Sequence, residues 1–111
     1  MKNDVYFDNF TCLADVEREF EVKLGEEYEI LLAVYTYGDY CGDALVIGKR
    51  GGTLFMVTAG HCSCYGLEGS WREDETSLEA LKHMLEHGTV FSFLDMNGEV
   101  AKLLHRLGDG A

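Results

Sequence analysis

Between Tyr28 and Thr58 the chain is built of β-branched and aromatic residues in three stretches, Tyr28 to Tyr37, Ala44 to Ile47 and Leu54 to Thr58. Side chains of this kind suit a pleated, half-buried surface, so each stretch reads as a strand. Lys49-Arg50-Gly51-Gly52 separates the second stretch from the third and carries the glycines that a tight hairpin turn needs. A three-stranded antiparallel meander is the economical arrangement. Helical patterns flank it on both sides. Leu13, Val16, Phe20 and Leu24 approximate a helical stripe, with Thr11 as its expected cap, Gly25 as its stop, and Asp15, Glu17, Glu19 and Glu21 forming a solvated face. Leu78 to His87 predicts a second helix: Thr76 and Glu79 make a capping box, Leu78, Leu81 and Leu85 face inward, and Gly88 terminates it. A third is predicted from about Gly98 to Leu107, capped by Asn97, with Val100, Leu103, Leu104 and Leu107 on one face. Thr89 to Met96 fits a short strand or a packed loop equally well.

These elements make an α+β chain, and 111 residues leave room for one core, so residues 1–111 are expected to form a single domain. The chain has no proline, no repeat and no low-complexity run that would mark a linker, and glycines punctuate it instead.

Charge narrows the class of partner. Twenty acidic side chains against nine basic ones give a formal net charge of −11. Such a field repels phosphate backbones and anionic membranes and attracts basic surfaces, so direct nucleic-acid and membrane binding are disfavoured. The same acidity also serves plain solubility, and charge alone does not separate the two roles. No stretch approaches the roughly 20 apolar residues that span a bilayer, and Met1-Lys2-Asn3-Asp4 opens no signal-peptide pattern. The expected location is cytoplasmic, where Cys12, Cys41, Cys62 and Cys64 would be thiols or metal ligands rather than disulfides.

Several short motifs suggest chemistry. Val57-Thr58-Ala59-Gly60-His61-Cys62 resembles the histidine segment of chymotrypsin-like serine proteases, but no Gly-Asp-Ser-Gly segment accompanies it, so no catalytic residue is assigned. His83-Met84-Leu85-Glu86-His87 fits the H-x-x-E-H pattern of inverted zinc peptidases. The simpler reading places both histidines on an exposed helical face near the negative end of the helix dipole. His61-Cys62-Ser63-Cys64 is the densest set of soft ligands: an extended chain separates His61 from the two cysteines, and one intervening residue is fewer than structural zinc sites use. Zinc on His61, Cys62 and Cys64 is therefore an alternative, and the leading expectation is no cofactor.

Tyr35-Thr36-Tyr37-Gly38-Asp39-Tyr40, then Gly60-His61-Cys62-Ser63-Cys64-Tyr65-Gly66-Leu67-Glu68-Gly69 and Trp71, resembles a set of small uncharacterised proteins carried by bacteriophages and prophages. The resemblance runs from about Tyr28 to Gly88 and implies a mobile-element origin. Domains of that origin often occlude host complexes, including CRISPR–Cas and restriction machinery.

The expected function is thus a non-enzymatic, acidic, phage-type binding protein. It would inhibit a host protein or ribonucleoprotein complex by occupying a basic, nucleic-acid-binding surface, as an anti-CRISPR or anti-restriction inhibitor does. Trp71 amid Glu68, Arg72, Glu73, Asp74 and Glu75 offers an aromatic anchor with a charged rim, although a tryptophan equally often belongs to a core. Tyr37, Asp39, Tyr40 and Asp43 form a second candidate patch. The alternative is a small metal-binding or redox-responsive protein using His61, Cys62 and Cys64.

Overall fold

The computed structural model describes residues 6–8, 10, 12–38, 41–62, 71–88 and 96–110. The chain is α+β and divides into two compact units, Met1–Glu75 and Thr76–Ala111. In the first, strand β1 (Tyr6–Asp8) precedes helix α1 (Leu13–Phe20), followed by β2 (Tyr28–Gly38), β3 (Cys41–Arg50), β4 (Thr53–Cys62) and β5 (Asp74–Glu75). The second holds α2 (Leu78–His87) and α3 (Asn97–Gly110), which pack on one another.

The sheet has five strands in the order β1-β2-β3-β4-β5. Its centre is the expected antiparallel meander, with Tyr35 opposite Ala44 and Val46 opposite Val57. The expectation of three strands is corrected by two short additions: β1 pairs parallel with β2 along Tyr6–Asp8, and β5 pairs antiparallel with Phe55 and Met56. Three residues and two residues are too short for side-chain alternation to register in a sequence. Gly51 and Gly52 form the β3–β4 turn with φ of 58° and 90°, the pair of positive values that a two-residue hairpin requires.

One irregularity sets the faces of β2. The register slips between Ile30 and Leu32, a β-bulge. Without it, Tyr28 and Ile30 would share a face with Leu32; with it, they join Ala33 and Tyr35 against one core. That core unites Val16 and Phe20 of α1 with Phe10, Leu24, Ala33, Tyr35, Ala44, Val46, Phe55 and Val57. Leu32, Val34, Leu45 and Ile47, on the alternate positions, are fully buried as well.

Helix α1 departs from expectation at both ends. Cys12 stands at its N-cap without a side-chain cap bond, and Glu21, at φ 56°, ends it four residues before Gly25. Its acids are not all solvated: Asp15 pairs with Arg18 at 2.8 Å, and the Glu17 carboxylate accepts the Leu24 N–H at 2.8 Å, fastening the loop that leads to β2. In α2 the cap is Ser77 rather than Thr76, its Oγ accepting the Ala80 N–H at 3.1 Å. Helix α3 runs past Leu107 to Gly110, with Val100 and Leu103 buried. Among the described residues no helix is long and apolar enough to cross a membrane.

Candidate functional site

The β3–β4 hairpin end of the sheet carries the densest polar network among the described residues. Its centre is Glu73, two residues after Trp71 and just before β5. The Tyr28 hydroxyl and the Trp71 indole N–H both donate to Glu73 Oε2, the latter at 2.8 Å, while Arg50 Nη1 meets Oε1 at 3.0 Å. Both carboxylate oxygens are thus engaged, by residues from the start of β2, the end of β3 and the segment before β5. The bond to Glu73 and then partial burial hold the Tyr28 hydroxyl above the ordinary tyrosine value, and the neighbouring guanidinium of Arg50 works against them.

Beneath this network lies an aromatic box. The Trp71 ring stands edge-on to Phe20 at 5.0 Å and to Phe55 at 5.9 Å, and Tyr28 meets Phe55 at 5.7 Å. Such edge-to-face pairs satisfy the ring quadrupoles, and the Glu73 carboxylate satisfies the one polar atom of the indole. Trp71 is therefore half-buried, its body in the core and its N–H held at the surface. The box also explains Gly48, which lies opposite Phe55: a Cβ there would stand 2.6 Å from the Glu29 carbonyl oxygen and 2.9 Å from the Phe55 ring.

Around this network the chain gathers exposed carboxylates. Glu26, Glu27 and Glu29 flank Tyr28, and Asp74 and Glu75 follow Glu73; all five are exposed. The Tyr28–Glu73 bond, spanning 45 positions, joins these two acidic segments at one end of the sheet. Beside Glu73 and Glu75, a cleft of about 330 Å³ is lined by Arg50, Thr53, Leu54, Phe55, Glu73 and Glu75.

The residues expected to bind partners fall in different places. Trp71 and Glu73 are committed to the intramolecular network, whereas Asp74 and Glu75 form the exposed strand β5. Asp43 lies half-buried at the other end of β3, its carboxylate across Gly60. Seven strand residues at about 3.3 Å each put it roughly 23 Å from Arg50, so Asp43 and the Glu73 network lie at opposite ends of β3. Tyr37 pairs with Gly42 through its backbone. The side chain of Tyr37, and Asp39, Tyr40 and Glu68 entirely, lie outside the described residues.

For the metal-ligand set, the register places Cys62 opposite Cys41 and His61 opposite Gly42. Their side chains, and all of Cys64, are outside the described residues. Among the described residues no three His, Cys, Asp or Glu side chains converge as a metal site. Tyr28, Arg50, Glu26, Glu27 and Glu29 were not singled out by the sequence. Only an acidic run abutting β2 hints at the glutamates, and nothing local pairs Tyr28 with Glu73. Comparison of the chain with family models, with curated proteins and with solved structures finds no match.

Proposed function

We propose that the protein is a non-enzymatic binding protein of phage type that presents an acidic surface to a host protein or ribonucleoprotein complex. It would act in the cytoplasm by occupying a basic groove that otherwise holds nucleic acid, in the manner of an anti-CRISPR or anti-restriction inhibitor. The observation that carries the reading is the convergence of Glu26, Glu27 and Glu29 with Asp74 and Glu75 around the Tyr28–Glu73 bond. Five exposed carboxylates at one end of the sheet, in excess over Lys49, Arg50 and Arg72 beside them, present negative charge as a short phosphate run does, and the net charge of −11 extends their field. In this reading Trp71 and Glu73 stiffen the platform, and the flanking acids meet the partner.

Affinity capture from a bacterial lysate, followed by competition with DNA or RNA for the captured protein, tests it. A partner that releases nucleic acid when the protein binds is expected. Association should slow as salt screens the long-range attraction, with a Debye length of about 8 Å at physiological ionic strength. Replacing Glu26, Glu27, Asp74 and Glu75 by alanine should slow association further. A captured partner whose association is indifferent to salt and to these substitutions would reject the electrostatic mechanism.

A second reading, a metal-binding or redox-responsive protein using His61, Cys62 and Cys64, draws support from the register. In that register Cys41 is the residue opposite Cys62. Elemental analysis of protein purified without chelator, beside a Cys62→Ser, Cys64→Ser variant, tests that reading. Stoichiometric zinc or iron lost in the variant would favour it, and metal-free protein with unchanged variant stability would exclude the metal form.

A further inference from the structure

Helix α2 carries His83 and His87 one turn apart, both exposed, with ring centres 4.8 Å apart and planes inclined at 44°. Two imidazoles meeting on an open helical face bury little surface, and packing gives no reason for them. Chelation does. Residues at i and i+4 hold their Cβ atoms about 5–6 Å apart, and two nitrogens bound at about 2.0–2.1 Å to one tetrahedral ion stand roughly 3.3 Å apart. Rings already this close reach that spacing through small rotations about their own bonds, without moving the helix.

The surroundings favour a cation. Glu79 lies one turn before His83, and the Glu86 carboxylate stands 3.9 Å from His87 Nε2. The helix is held at both ends, by the Ser77 cap and by the Gly88 N–H bonded to the Met84 carbonyl at 2.8 Å. The donors are thus pre-placed on a rigid element.

The geometry points to a divalent-metal site on the exposed face of α2, with His83 and His87 as its two protein donors. Paired neutral imidazoles select late first-row ions, zinc, nickel or copper, over magnesium and calcium, which prefer oxygen. Two protein donors leave the remaining coordination positions to water or to a donor from another molecule, so the site is open rather than a closed structural one. No catalytic step follows, and the site is separate from the cysteine reading, since it uses neither Cys62 nor Cys64.

The test uses the full chain with all four cysteines replaced, Cys12→Ser, Cys41→Ser, Cys62→Ser and Cys64→Ser, which silences the thiols. Titration with nickel chloride, and separately with zinc chloride, is followed by calorimetry and by the thermal midpoint. One ion per chain is expected, with a midpoint that rises with metal because the helix binds it only when folded. His83→Ala and His87→Ala should each weaken binding by about tenfold or more and abolish the rise, because one donor no longer chelates. His105→Ala should leave both unchanged. Both histidines are exposed, so the single variants should melt as the parent does without metal, which shows that a lost response is not lost folding. Absence of binding at millimolar metal, or equal binding by parent and single variants, would overturn the assignment.

Discussion

Removing the Glu73 carboxylate tests whether the hairpin end is organised around it. In Glu73→Ala the Trp71 N–H and the Tyr28 hydroxyl lose a shared ionised acceptor that is only 15% exposed. Hydrogen bonds to a charged group contribute about 1.5–3 kcal/mol each, and the half-buried positions of both donors let water replace part of that. A net loss of about 2–4 kcal/mol follows. The Arg50 arm adds little, because its guanidinium is well exposed. With a urea dependence of about 1.5 kcal/mol per molar, a loss of about 3 kcal/mol lowers the unfolding midpoint by roughly 2 M at unchanged slope. Trp71 is the chain's single tryptophan, so its fluorescence reports the transition and the local environment together. Glu73→Gln keeps one carbonyl oxygen for these donors and should lose about half as much. If Glu73→Ala unfolds within about 0.5 kcal/mol of the parent, the carboxylate is a surface ornament and the reasoning fails.

Gly48→Ala should destabilise by about 1–3 kcal/mol, because the new methyl meets a backbone carbonyl that cannot swing aside; thermal melts of the pair decide it. Ser77→Ala removes the α2 cap and should cost about 1 kcal/mol, whereas Thr76→Ala should cost less, a contrast read in urea titrations. The raised Tyr28 hydroxyl predicts a pH dependence on the alkaline side. The folded state binds that proton more tightly than the unfolded chain does, so its contribution is complete below about pH 10 and falls as pH rises through the elevated folded value. Tyr28→Phe should reduce that arm of the stability profile, to which burial of the Tyr6 hydroxyl contributes in the same direction, and an unchanged arm would remove Tyr28 as a source. Trp71→Ala should destabilise by about 3 kcal/mol through the opened aromatic box, which makes it a stability probe before it is a binding probe.

Local chemistry alone determined a good deal. The Gly51-Gly52 turn, the meander from Tyr28 to Thr58 and the span of α2 from Leu78 to His87 were all legible, because turn residues and side-chain periodicity act over a few neighbouring positions. So was the acidity of the surface, which is a sum over the chain and needs no fold. What tertiary structure decided depends on pairings between distant residues. The bulge at Leu31 reversed the facing of Tyr28 and Ile30, a shift that simple alternation cannot reveal since it requires knowing the opposing strand. The role of Trp71 turned on Phe20, Tyr28 and Phe55, brought from three other elements, and that of Glu73 on Tyr28 and Arg50. An acid next to a tryptophan reads as a rim in one dimension; it becomes the tryptophan's own hydrogen-bond acceptor only when the sheet and α1 close around the ring. The placement of Asp43 at the far end of the same strand follows from the same cause, because adjacency in space was set by strand register and not by distance along the chain.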